Sequence, residues 1–285
     1  MEKICWANTE NFVDARFVIL GIPDESQSHA IRKGTEEAPM KIRQISNIRD
    51  SYKRNGKISV GRPVQGITKK VYDLGNITRN QINDTFKKIM DSSKIPISMG
   101  GDHSITSEII SSISNPDEKI SLVYFDAHPD FVSSHTNYYG SVMTDIISHI
   151  DIESSVQIGI RTPEEEELEN LKKYDFQVIT PFDIQKQGIE SIANSVSKKL
   201  GKNVYISFDM DCIDPSFAPG VSVPVPLGLN SLDCVYLLQR IAQRGIIGMD
   251  IMEVCPSFDI KDRTSHLASR MIAEVLYSCG ENNFD

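Results

Sequence analysis

A chain of 285 residues can bury roughly 75% of the surface that its unfolded form exposes, so a sizeable core is expected. Its 40% hydrophobic and 24% charged residues are those of an ordinary globular protein, and the formal charge of −9 argues against a sequence-independent nucleic-acid binder, which needs a basic face. No run reaches 18 apolar residues and the N-terminus has no long apolar signal region, so a cytoplasmic protein with no membrane partner is expected.

In chain order, the apolar runs FVILGIP (17–23) and VYDLG (71–75) predict strands, and the spacing of apolar residues predicts a helix over 81–92. IPISMGG (95–101) predicts a strand that ends in glycines; His103 stands in the turn beyond it, ahead of a helix over 104–114. SLVYFDA (121–127) runs straight into Asp126, His128 and Asp130 at every second position. SVQIGIR (155–161) and FQVIT (176–180) predict two more strands around a helix over 164–174. The acids at 164–167 open that helix after Thr162 and Pro163, where negative charge complements the helix dipole, and read as a solvated helix start. A helix over 186–200 precedes the strand NVYISFD (203–209), which places Asp209 and Asp211 on one face with Asp214 beyond. A helix over 230–244, the strand GIIGMDIMEV (245–254) and a last helix over 263–279 complete the pattern. Strands alternating with helices predict a mainly parallel sheet of about eight strands covered on both faces. No linker or repeat divides the chain, so one three-layer α/β/α domain over 1–285 is expected. The cysteines at 5, 212, 234, 255 and 279 are odd in number and lack a C-x-x-C pair, so they read as reduced and mostly structural.

Side chains two apart on a strand share a face, so Asp126, His128 and Asp130 point the same way. Such a row of acids repels itself unless a cation sits between them. In an open parallel sheet, ligands bind outside the carboxyl ends of the strands. Three strand ends there deliver six donors, His103, Asp126, His128, Asp130, Asp209 and Asp211. This oxygen-rich set, with no thiolate, suits Mn²⁺ or a similar borderline metal better than structural zinc. Six donors are too many for one ion with an open position; bridging carboxylates would let them hold two ions ~3.5–4 Å apart, as in two-metal hydrolytic sites.

The segments GGDHS, FDAHPD and SFDMDCIDPSFAPG, in that order, closely resemble the three signature segments of the ureohydrolases, the arginase and agmatinase family. Glu253, in GMDIMEVCP, resembles the family's glutamate on a late strand. The resemblance implies a single α/β/α domain, two Mn²⁺ ions per chain, hydrolysis of a guanidinium to urea and an amine, and a homotrimer or homohexamer. It also implies one ion held by His103, Asp126, Asp130 and Asp209 and another by Asp126, His128, Asp209 and Asp211, with Asp126 and Asp209 bridging. Glu253 would pair with the small cationic guanidino substrate through two parallel N–H···O bonds. Asp130 would bond the attacking hydroxide and pass its proton to the leaving amine.

One position departs from the family pattern. Where many members carry a proton-shuttling His before Gly or Ala, this chain has Tyr139. A phenol of pKa near 10 shuttles protons poorly at neutral pH, so either the shuttle is dispensable, His135 takes the role, or turnover is slow. Arginases carry a longer loop here that recognises the α-carboxylate of their substrate. Only eight residues separate Asp130 from Tyr139, none of them Lys or Arg, which favours agmatine, giving putrescine, over arginine or another guanidino acid. Ser133, Ser134 and Asn137 could still bind a carboxylate through hydrogen bonds. A two-metal phosphoesterase would place D-x-H first and end with G-N-H, which is not the order here. A non-catalytic metal-binding regulatory homologue is the alternative of another class.

Overall fold

All eight predicted strands form and pair side by side. The structure, a computed structural model, describes residues 2–48, 53–54, 57–58, 67 and 69–279. In chain order the elements are β1 Phe17–Gly21, α1 Ala38–Ser46, β2 Lys53–Arg54, β3 Lys57–Ile58, β4 Val71–Asn76, α2 Ile82–Asp91, β5 Ile95–Met99, α3 Ile105–Ile113 and β6 Ser121–Phe125. Then come α4 Val142–Ile146, β7 Val156–Ile158, α5 Glu165–Lys173, β8 Val178–Ile179, α6 Pro181–Gln187, α7 Ile189–Lys199, β9 Val204–Asp209, α8 Ser231–Gln243, β10 Gly248–Met252 and α9 Arg263–Ser278. β2 and β3 pair antiparallel as a separate short ribbon. The others form one sheet in the order β4-β1-β5-β10-β9-β6-β7-β8, every pair parallel.

The period of two along the strands divides the core. Phe17 and Ile19 of β1, Val123 and Phe125 of β6 and Ile206 and Phe208 of β9 pack on one face, with apolar residues of α1, α6, α7, α8 and α9. Val18 and Leu20, Leu122 and Tyr124, and Tyr205 pack on the other, with α2, α3, α4 and α5. Three layers result, as the alternation of strands and helices predicts. Three helical features depart from the prediction. The helix over 186–200 is two helices, because Gly188 adopts φ 82°, ψ 145°, which no helix continues. The sequence pattern did not predict α1, entered through Pro39, or the five-residue α4.

The order of the strands positions the site. β5, β10, β9 and β6 are consecutive in the middle of the sheet, and each leads at its carboxyl end into a cluster of acids or imidazoles. Two glycines let the turn after β5 lie this close. A Cβ on Gly100 would overlap the sulfur of Met252, and one on Gly101 would fall 1.8 Å from the backbone oxygen of Asp24.

Candidate active site

The six sequence-predicted donors converge. His103, at the start of α3, is fully buried and points Nδ1 at three carboxylates: Asp126 Oδ2 at 3.0 Å, Asp209 Oδ2 at 3.2 Å and Asp130 Oδ2 at 3.3 Å. Beside this group, His128 Nδ1 lies 3.4 Å from Asp126 Oδ1 and 3.1 Å from Asp211 Oδ2. Ligand atoms of His103, Asp126 and Asp130 lie close enough together for one cation, and those of Asp126, His128 and Asp211 for another. Asp126 belongs to both groups.

Local backbone structure sets these side chains. The N–H of His128 bonds Asp126 Oδ1 at 2.6 Å, and the N–H of Asp211 bonds Asp209 Oδ1 at 2.7 Å, so each D-x-D or D-x-H turn is braced by its own first acid. The N–H of Ala127 bonds Asp211 Oδ1 at 3.0 Å and ties the two turns together. Asp130 and Glu253 have φ of 48° and 63°, in the left-handed region that costs a non-glycine residue energy.

The electrostatics mark a place for positive charge. Burial alone would lower the pKa of His103, but Asp126, Asp130 and Asp209 outweigh it and hold it well above the ordinary value. His128 is likewise pushed up to about 12, because Asp211 and Asp126 overcome the effect of its burial. Burial and the charge of Asp126 push Asp130 up to about 6, and burial with Asp211 and Asp126 pushes Asp209 well up. Asp126 Oδ2, although buried and 3.0 Å from His103 Nδ1, has no hydrogen-bond partner. Buried carboxylate oxygens are almost always satisfied. An orphaned oxygen facing an imidazole nitrogen among four acids fits a metal cation.

Glu253 follows β10 and is almost fully buried. Its Oε1 accepts the backbone N–H of His103 at 2.8 Å, and its Oε2 accepts the hydroxyl of Ser222. Burial and nearby Asp102 push its pKa up to about 8, against the pull of these donors. Each oxygen keeps a lone pair, so a guanidinium could still approach, and its charge would favour the ionised form.

The segment between Asp130 and Tyr139 forms the rim. The phenol of Tyr139 is half-buried; burial and then the charges of Glu253 and Asp130 raise its pKa, with His128 opposing. Its ring meets those of His29 and Tyr138 edge-on, at 6.1 and 5.7 Å. His29 stacks on Tyr138 at 5.1 Å, and so joins the segment after β1 to this rim. His135 is exposed; its Nδ1 lies 3.3 Å from Ser134 Oγ and its ring 6.4 Å from that of Tyr138. Asp214 accepts the N–H groups of Ser216 and Gly228 and so shapes its own loop.

The serines of this rim already hold a carboxylate. The N–H and hydroxyl of Ser133 bond Glu166 at 2.9 and 2.7 Å, and those of Ser134 bond it at 2.7 and 2.9 Å. Asn137 gives its N–H to Asp145 at 3.0 Å and its amide to Thr136 at 3.2 Å. The row of acids at 164–167 is thus more than a solvated helix start, since Glu166 grips the rim and buried Glu167 accepts the N–H of Phe131. Sequence reasoning also missed Tyr124, whose hydroxyl donates to Asp130 Oδ2 at 2.6 Å, and Ser207, 2.9 Å from His103 Nε2. Both stand two residues before a predicted donor on the same strand face, which is the signal that could have found them. Nothing local signals Glu166, whose partners lie about 33 residues away.

The description of the arginase family matches residues 15–277. The chain belongs to the arginase family. It is similar to the agmatinase of Neisseria meningitidis serogroup C, 36% identical over 197 residues, a match that covers 68% of this chain but only 62% of that relative's length. The agmatinase of Citrobacter koseri is 31% identical over 274 residues, 93% of this chain and 87% of that one. Among solved structures, the agmatine ureohydrolase of Thermoplasma volcanium aligns with a TM-score of 0.84 at 30% identity, over 98% of this chain and 94% of that chain. The arginase-family fold therefore extends over nearly the whole chain, and no helix among the described residues is long and apolar enough to cross a membrane.

Proposed function

We propose that this chain is a ureohydrolase of one domain that cleaves agmatine to urea and putrescine at a centre of two Mn²⁺ ions. The convergence of His103 with Asp126, Asp130 and Asp209, next to His128 and Asp211, is the observation that carries the hydrolase reading. Asp126 and Asp209 would bridge; His103 and Asp130 would complete one position, His128 and Asp211 the other. The bound pair would lower the pKa of a water so that hydroxide is available near neutral pH.

The residues of the chain divide the remaining work. Glu253, fixed by the N–H of His103 and by Ser222, sets the plane of the guanidinium with its remaining lone pairs. Water oxygen adds to the guanidinium carbon, the bond from that carbon to the tail nitrogen breaks, and that nitrogen needs a proton to leave as an amine. Asp130, oriented by the Tyr124 hydroxyl, takes a proton from the attacking water and gives it to the leaving nitrogen. Exposed His135 is the weaker candidate for a second shuttle, because its neighbours are rim residues rather than the acids.

The tail preference rests on Glu166. The four donors of Ser133 and Ser134 that could have met a substrate carboxylate are committed to it. A second carboxylate there would meet the like charge of Glu166 and find the Ser133 and Ser134 donors taken, whereas the ammonium of agmatine would meet an opposite charge. The family resemblance supports three or six copies in the assembly, and five cysteines that form no disulfide suit a reducing, cytoplasmic location.

Urea release from agmatine, arginine and 4-guanidinobutyrate by Mn²⁺-loaded protein tests this reading. Agmatine should be preferred, and Glu166→Gln should raise kcat/KM for guanidinobutyrate relative to agmatine by roughly two- to fivefold, the worth of one exposed charge interaction. Preference for either acid contradicts the substrate assignment. No urea from any of the three contradicts hydrolysis and favours a non-catalytic regulatory homologue.

A further inference from the structure

One buried carboxylate lies beneath the site and has no part in the chemistry above. Asp250 sits in the middle of β10, fully buried, and its oxygens accept four hydrogen bonds. Ser207 Oγ donates to Oδ1 at 2.8 Å and the Phe208 N–H to Oδ1 at 3.4 Å. The Tyr205 hydroxyl donates to Oδ2 at 2.9 Å and the Thr106 hydroxyl at 3.1 Å. A buried carboxylate costs several kcal/mol unless its lone pairs are satisfied, and none of these donors is a cation. An apolar residue would fill the same space in the sheet without that cost, so the carboxylate calls for a reason.

The directions of the hydrogen bonds supply one. A serine hydroxyl has a single hydrogen. Ser207 gives its hydrogen to Asp250, the strongest acceptor in its reach, so toward His103 Nε2, 2.9 Å away, it offers a lone pair. Nε2 must then carry the hydrogen. In a neutral imidazole Nδ1 consequently carries none, and its lone pair faces Asp126, Asp130 and Asp209. On the far side the Tyr124 hydroxyl, 3.1 Å from Nδ1, gives its hydrogen to Asp130 and so presents none to Nδ1; the asymmetry of the ring comes from the Ser207 side, where no metal position competes. The absence of any hydrogen-bond partner on Asp126 Oδ2 agrees with this.

We propose that Asp250, acting through Ser207, is a positioning residue that holds His103 as the Nε2–H tautomer and so presents Nδ1 as a metal ligand. Partners of this kind on metal-binding histidines are typically worth 10–100-fold in metal affinity. The inference rests on the metal-centre reading above.

Calorimetric titration with Mn²⁺ tests it, because the two metal positions differ in their dependence on His103. Ser207→Ala removes the acceptor and should weaken one of two binding steps about 10–100-fold, leaving the step that depends on His128 unchanged. Asp250→Ala should do the same, and the double variant should be no worse than either single one, since the two act in series. Asp250→Asn, which keeps a carbonyl oxygen for Ser207, should restore most of the affinity. If Asp250→Ala does not fold, Ser207→Ala decides alone. Two binding steps within threefold of wild type in Ser207→Ala, or equal weakening of both, overturn the proposal. A wild-type protein that binds no Mn²⁺ overturns the metal reading itself, and the proposal with it.

Discussion

Tyr139 stands where the resemblance leads one to expect a proton-shuttling imidazole, and its surroundings make it a poorer shuttle still. A free phenol has a pKa near 10, and burial together with Glu253 and Asp130 moves this one higher, so it stays protonated at neutral pH. Tyr139→Phe should therefore leave kcat nearly unchanged. Tyr139→His, which puts an imidazole of pKa ~6.5 at the same place, should raise kcat near neutral pH by part of the 10²–10⁴-fold that acid–base help is worth. A hundredfold loss in Tyr139→Phe with metal content intact would show that the hydroxyl contributes to catalysis, and the reading of a lost shuttle would fall.

Among the elements, α1 shows best what the sequence pattern hides. It is short, and its two large apolar anchors, Ile42 and Ile45, are too few to stand out as a periodic face. What fastens it is Arg43, which reaches the edge strand β4 and grips Asp73 with two bonds, of 2.9 and 2.8 Å. Both side chains are out of contact with water. Arg43→Met would strand Asp73 and should cost about 3–5 kcal/mol, measured by denaturant unfolding at neutral pH. The pH dependence follows from the position of Asp73. Burial opposes its ionisation, but Arg43 and two backbone N–H groups more than compensate, so its folded pKa lies below the unfolded value near 3.9. The pair therefore stabilises above pH ~4, and that stability is lost as pH falls through the folded pKa. The gap between wild type and Arg43→Met should shrink over the same range. A gap that stays constant down to pH 3 would mean the ion pair is not its source.

At the scale of the whole molecule, what can be read in the sequence is what repeats locally. Strands such as 121–125 and 204–209 are mostly apolar because both faces of the sheet are covered, and polar residues follow toward their carboxyl ends at a period of two. That is why the six candidate donors are legible in the amino-acid sequence. The break at Gly188 is not, since a glycine inside an apolar helical pattern also reads as a tolerated residue. Nor are the long-range partners: the grip of Glu166 on Ser133 and Ser134, and the reach of Asp250 through Ser207 to His103, join residues from separate elements. The central claim is that the acids gathered by β5, β10, β9 and β6 act on a guanidinium only with metal between them. The most direct test is urea release from agmatine by protein stripped of metal and then reloaded with Mn²⁺, with metal content measured in the same samples. Activity should vanish on stripping, return as two ions per chain are restored, and stay at background in Asp126→Asn, which lacks a bridging carboxylate. Undiminished urea release by metal-free protein, or an Asp126→Asn variant with two ions and near-native turnover, would contradict the account.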